Sequence, residues 1–246
     1  MVPFLYFVYA STEASLSAQT VVAHATSLGV AFVTSAIGTW RYARAQAIAW
    51  RPATVYAVPG IVTAFLIARV LTRVENAHWV RAAFGAFLLG SAWDMARRAR
   101  RAPVADDLER HPHSWFWLAA IGAVGGGLSA TLGIGGGLIA VPVLLYFGRL
   151  PIRTVAPTAL AGVCLTTLAG ALGYLTAGDG PHVSPTMVGF IDLRMALPLC
   201  LGAAATVPLG VQVNRQASAP TLYRVFAVIF TAIGLSVLWS WFRLAQ

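Results

Sequence analysis

The 246 residues contain no lysine, two cysteines and eight acidic side chains, and only 10% of the chain is charged. Each scarcity excludes something. Cys164 and Cys200 lie inside apolar stretches, with no CxxC or Cys/His spacing, so neither a disulfide framework nor a metal site is supported. The few charges leave no polar region long enough for a soluble domain. Met1-Val2-Pro3-Phe4-Leu5 lacks a basic n-region and a cleavage site, so no cleavable signal is expected. Catalytic machinery is also missing. There is no nucleophile elbow, no pair of catalytic carboxylates and no metal-binding cluster, so the chain does not read as an enzyme and implies no cofactor.

What is present is apolar. The mean hydropathy is +0.73 and 58% of the residues are hydrophobic, the composition of an integral membrane protein. All 17 basic residues are arginine, giving a net charge of +9. They sit singly or in pairs at the ends of apolar segments, so the charge reports membrane topology rather than a nucleic-acid partner. Arg97-Arg98-Ala99-Arg100-Arg101 is the one dense cluster, read as a cytoplasmic loop with contact to anionic lipid as the alternative. Tryptophans near segment ends, among them Trp40, Trp50, Trp115, Trp117 and Trp239, read as interfacial belts.

Seven long apolar segments fall at about 18–41, 52–71, 79–96, 114–134, 153–175, 190–212 and 221–242, and two short ones at 1–10 and 137–148. The polar stretch after Arg97 divides them. This predicts a first membrane repeat over 1–96, a cytoplasmic basic loop over 97–113 and a second repeat over 114–246. The halves match at a constant offset of 132: Thr26 with Thr158, Thr34 with Thr166, Gly38 with Gly170, and Tyr42 with Tyr174. Val2-Pro3-Phe4-Leu5 likewise resembles Val141-Pro142-Val143-Leu144. No counterpart of 114–134 precedes Val2-Pro3, so the first repeat reads as N-terminally incomplete.

Counting arginines with the Arg41–Arg51 loop inside puts twelve inside and five outside, and it inverts the second half relative to the first. The expected fold is therefore all-α: a polytopic membrane protein of two inverted-topology repeats with a glycine-broken or re-entrant helix. Its site is expected at the repeat interface near the bilayer midplane. Either two crossings or a hairpin over 114–148 satisfies the same parity.

The break is Gly133-Ile134-Gly135-Gly136-Gly137, followed by Pro142. Glycines permit positive φ and expose amides, and the helix resuming near Leu138 offers its N-terminus to the same space, an anion site in principle. The glycines at 122–127 read instead as close helix packing. Thr26 and Thr158 start their helices just after a short Pro-containing segment and are ligand candidates, with Ser27 beside the first. Thr34 and Thr166 read as hydroxyls bonded back to their own helices. Two readings stand for His24, a proton-coupling group within the membrane or a polar residue at the interface. Asp94 and Asp192 read as interface residues.

The motifs Gly-Ile-Gly-Gly-Gly-Leu-Ile-Ala-Val-Pro-Val-Leu at 133–144, Ala-Pro-Thr-Ala-Leu at 156–160, Val-Pro-Phe-Leu at 2–5 and Ala-Thr-Ser-Leu at 25–28 resemble those of the TauE/SafE family, the sulfite exporter or anion permease family. The resemblance implies a multi-pass protein of the bacterial inner membrane that moves small sulfur-containing or carboxylate anions: sulfite, sulfonates, thiosulfate or related organic acids. The glycine motif carries over at Gly133, Gly135, Gly136, Gly137 and Pro142; in the first half only Pro3 does. The partners expected are thus a small anionic substrate and membrane lipid, with association into homo-oligomers left open. Two further classes compete with a proton-coupled transporter: a non-transporting membrane assembly protein, in which glycines and threonines serve packing alone, and an anion channel.

Overall fold

A computed structural model of the chain describes residues 16–71, 78–100, 114–133, 135–178 and 185–244. The segment 1–10, and with it Pro3, lies outside the described residues. The helices are α1 (Leu16–Arg44), α2 (Trp50–Leu71), α3 (His78–Arg100), α4 (Trp115–Leu132), α5 (Gly137–Tyr146), α6 (Ile152–Leu175), α7 (Leu193–Gln216) and α8 (Ala219–Leu244). A two-residue antiparallel ladder, β1 (Met187–Val188) with β2 (Ile191–Asp192), joins α6 to α7. Six helices, α1, α2, α4, α6, α7 and α8, are long and apolar enough to cross a membrane. Helices suit that setting because each satisfies its own backbone where lipid offers no hydrogen bonds. The chain is a polytopic all-α membrane protein.

Two boundaries differ from the sequence expectation for local reasons. The segment expected at 190–212 starts its helix at Leu193, because Gly189 turns with φ +56° and the Asp192 carboxylate accepts the Arg194 amide at 3.0 Å, capping α7. The helix expected to end at 96 runs on through Ala99 to Arg100, since Asp94 accepts from Arg98 at 2.6 Å one turn on.

Helices α1 and α6 form the antiparallel centre of the bundle, where the offset of 132 residues becomes an exchange of contacts. A Cβ added at Gly38 would strike the Leu160 side chain, and one at Gly170 would strike Leu28. Leu28 and Leu160 are themselves the matched pair of the two repeats, so each helix fills the other's glycine notch with the same residue. Around this pair α6 packs on α2 and α1 on α7, while α3 and α8 form a second antiparallel pair, with Gly85 against Leu238. Helix α4 lies along α2, where Gly122 and Gly126 meet the backbone of Tyr56 and Gly60. Among the described residues no helix covers α7 in that way: only 11% of its span is buried, against 67% for α6.

The stretch 114–148 is a hairpin rather than two crossings. Helix α4 climbs for 18 residues, about 27 Å at 1.5 Å per residue, and α5 returns over ten, about 15 Å, which is too short to span. Its return leg ends beside α3, where the Tyr146 hydroxyl donates to Asp94 at 2.8 Å. Ten arginines of the described helices and their links lie at that same end of the bundle. Arg69, Arg81, Arg194 and Arg243 lie at the other. By the positive-inside asymmetry the arginine-rich end is the inner one.

Candidate functional site

The hairpin tip is built from glycine because the chain turns there through conformations other residues avoid. Gly133 closes α4 at φ +62°, Gly135 follows at +77°, and Gly136 caps α5 at +70°. The space is closed as well. A Cβ on Gly133 would lie 2.8 Å from His24 Cα, one on Gly135 would lie 2.9 Å from Ala31 Cβ, and one on Gly136 would lie 3.3 Å from Ser129. The turn is therefore fixed by both conformation and contact.

Three helices hold it. From α1, the Ser27 hydroxyl donates to the Gly133 carbonyl at 2.7 Å, replacing a bond that α4 loses where it stops. From α6, Thr166 and Thr167 flank the turn, their hydroxyls bonded back to Val163. From α4 comes Ser129, 1% exposed, whose Oγ has no hydrogen-bond partner. A buried hydroxyl left unmade costs about 1–3 kcal/mol, so its position beside the start of α5 calls for a ligand more than for packing. Among the described residues the Gly137 and Leu138 amides at the start of α5 have no backbone partner, while Ile139 and Ala140 bond to the Gly136 carbonyl, and the helix dipole adds positive potential at the same point. Backbone N–H groups, an unpartnered O–H and a low-dielectric wall can together replace part of an anion's hydration shell.

The structure brings together Gly133, Gly135, Gly136, Gly137, Ser27 and His24. His24 is buried at 6% exposure and packs on Gly133, three residues into the apolar span Val21–Arg44 of α1. Pro142 lies buried one turn and more beyond the tip within α5, where it removes a ladder bond.

Thr26 and Thr158 stand apart from the turn and carry out one job twice. Thr26 Oγ1 accepts the backbone N–H of Asp192 at 3.0 Å, and Thr158 Oγ1 accepts that of Ala49 at 3.1 Å. Asp192 immediately precedes α7 and Ala49 immediately precedes α2, so each threonine holds the loop that follows the other repeat's threonine helix. Both are fully buried. Each hydroxyl oxygen is thus occupied, with its hydrogen left to donate. The Thr26 contact lies at the outer end and the Thr158 contact at the inner.

Three residues escape a reading of the sequence alone. Ser129 sits among glycines and alanines, where a serine ordinarily bonds back to its own helix. Asp192, at the start of the apolar span of α7, is 1% exposed and accepts from both the Thr186 hydroxyl and the Arg194 amide. Asp94 ties α3 to the return leg of the hairpin through Tyr146. The signal for Asp192 was available: a lone acid just before an apolar run is an N-cap signature. Among the described residues no group of three or more histidines, cysteines or acids could hold a metal.

Comparison with known proteins agrees with this architecture. A family model described as "Sulfite exporter TauE/SafE" matches residues 1–237. A relative named "Probable membrane transporter protein" from Methanocaldococcus jannaschii is 25% identical over 213 residues, 87% of this chain and 77% of its own. Another, from Bacillus subtilis, is 21% identical over 254 residues, covering 98% and 89%, and a third, from Xylella fastidiosa, is 26% identical over 223, covering 86% and 81%. No solved structure matches.

Proposed function

Because the chain belongs to the sulfite exporter TauE/SafE family of membrane transport proteins, we propose that it is a secondary transporter of small sulfur-containing anions, sulfite, thiosulfate or a sulfonate, in the bacterial inner membrane. The observation that carries the reading is Ser129: a buried, unpartnered hydroxyl beside a positive-φ glycine at the start of a helix. The substrate's oxygens take the first amides of α5 and the Ser129 O–H, with Gly133, Gly135, Gly136 and Gly137 shaping the pocket and Ser27 holding its rim. Among the described residues no arginine packs on the turn glycines, so binding there relies on dipoles rather than a full opposite charge. That keeps the anion loosely enough held to leave. His24, buried against Gly133, is the group through which a proton is coupled.

Ser129→Ala tests this in proteoliposomes loaded with labelled sulfite, thiosulfate or taurine. A hydrogen bond to a charged group contributes about 1.5–3 kcal/mol, so the variant should raise KM about tenfold or more. Its thermal midpoint should hold or rise, because the hydroxyl removed bonds to nothing in the protein and its burial is a cost. An unchanged KM for every anion sinks the site. Flux that fails to saturate and ignores a proton gradient would instead make the protein a channel.

His24→Gln separates coupling from binding. Transport down the anion's own gradient should persist, while acceleration by an imposed pH gradient should disappear. If the variant still responds to the pH gradient as the native chain does, the coupling group lies elsewhere.

A further inference from the structure

The inner ends of α1 and α7 border an open recess of about 830 Å³ lined by Trp40, Arg41, Arg44, Gln212, Arg215 and Gln216, with Pro208, Leu209 and Val211 as its apolar side. A smaller cavity of about 180 Å³ opens beside it, sharing Arg215 and adding Arg153, Asn214 and Thr154. Four arginines therefore line the two parts of this recess, and among the described residues no aspartate or glutamate does. We propose that this recess binds a phosphate-type oxyanion, held by the guanidinium groups of Arg41, Arg44 and Arg215 with Gln212 and Gln216 completing its hydrogen bonds.

Arginines at helix C-termini are ordinarily explained by the helix dipole, and each of these three taken singly fits that account. Convergence does not. Three like charges brought to one cavity repel one another unless an anion or water intervenes, and dipole neutralisation would be served equally well by arginines turned outward. The Arg44 guanidinium is stacked 4.0 Å above the Trp40 ring, which fixes its plane and leaves its edge donors to a ligand. Planar forks of this kind take phosphate oxygens two at a time.

The recess is amphipathic in the direction a membrane requires. Its polar rim stands at the arginine-rich end of the bundle, while Trp40 and Leu209, 52% and 63% exposed, face outward from the helices. An anionic lipid headgroup with its acyl chains along α7 has the matching chemistry; free phosphate in the inner solution has the same headgroup chemistry without the chains. The recess is distinct from the glycine turn: Gly135 packs on Ala31, nine residues or about 14 Å along α1 from Trp40.

Full-length protein in detergent provides the test. Native mass spectrometry with phosphatidylglycerol and with phosphatidylcholine measures the lipid arm, and calorimetric titration with inorganic phosphate measures the solute arm. The variant Arg41→Gln/Arg44→Gln/Arg215→Gln should bind at least tenfold more weakly in one arm, and the arm that falls identifies the source. Arg100→Gln, at the same end of the bundle but outside the cavity, should bind as the native chain does. Because the three arginines are exposed, the triple variant should keep its elution profile, and the matching triple lysine variant should recover part of the affinity through charge alone. Equal binding by native and triple-glutamine protein in both arms overturns the proposal, as does an equal loss in Arg100→Gln.

Discussion

Gly126→Leu should abolish the folded protein. The contact it breaks is backbone on backbone: a Cβ at Gly126 would collide with the Gly60 carbonyl oxygen and lie 2.6 Å from Gly60 Cα, and Gly122 stands in the same relation to Tyr56. Overpacking a core usually costs about 1–3 kcal/mol because a neighbouring side chain gives way. Here no rotamer can move aside, so the whole of α4 must shift off α2, and the cost should exceed that range. Since α4 is the outgoing leg of the hairpin, its displacement also takes the glycine turn with it. Gly202→Leu and Gly210→Leu provide the internal contrast, because a Cβ at either α7 position meets nothing within 4 Å. Size-exclusion chromatography of fluorescent fusions should show Gly126→Leu aggregated or absent and both α7 variants monodisperse. A monodisperse Gly126→Leu with a native thermal midpoint would refute the α2–α4 packing.

The contrast explains why one class of glycine was legible in the sequence. Gly122 and Gly126, four apart on an apolar helix, form a small-residue stripe, and such stripes let helix backbones approach. Gly133 and Gly137 share that spacing, but the added Gly135 and Gly136, with Pro142 following, signalled a break, which the structure contains. What the sequence did not reveal is the course of the chain around the break. An apolar run at 114–134 is long enough to span, so length alone could not separate a crossing from a hairpin leg. Only the position of Tyr146 beside Asp94 resolves it.

The threonines teach a different lesson. Their register, with the glycines and tyrosines that follow, was visible as an offset of 132, and it marks the α1–α6 contact correctly. Their chemistry was not visible, because the partners are amides of Ala49 and Asp192, more than 100 residues away in sequence from the threonines they meet. Helical periodicity says which face a hydroxyl stands on; it does not say which loop is folded down over that face. Ser129 escaped for the converse reason, since nothing in a sequence distinguishes a serine that bonds to its own helix from one that bonds to nothing.

The two threonine contacts form a pair of latches, and removing them one at a time should drive the protein in opposite directions. Thr26 holds the start of α7 at the outer end, and Thr158 holds the start of α2 at the inner end. The secondary transport proposed above requires each end to open in turn while the other stays shut. Thr→Val keeps the shape of the side chain and leaves the partner amide unsatisfied, buried at Asp192 and part-buried at Ala49, at a cost of up to about 1–3 kcal/mol. Only opening that end returns the amide to water. Thr26→Val should therefore favour the outward-open form, and Thr158→Val the inward-open form, each by about ten- to a hundredfold in population. Ser129→Cys reports the change, since its position is 1% exposed in this structure. In a background with Cys164 and Cys200 replaced by serine, a membrane-impermeant maleimide should label Cys at position 129 from outside in Thr26→Val and from inside in Thr158→Val. Labelling from the same side in both variants would mean that the hydroxyls only stabilise the bundle. Opposite sides would mean that the inverted repeat supplies one gate to each face of the membrane, built from the same residue and the same kind of hydrogen bond.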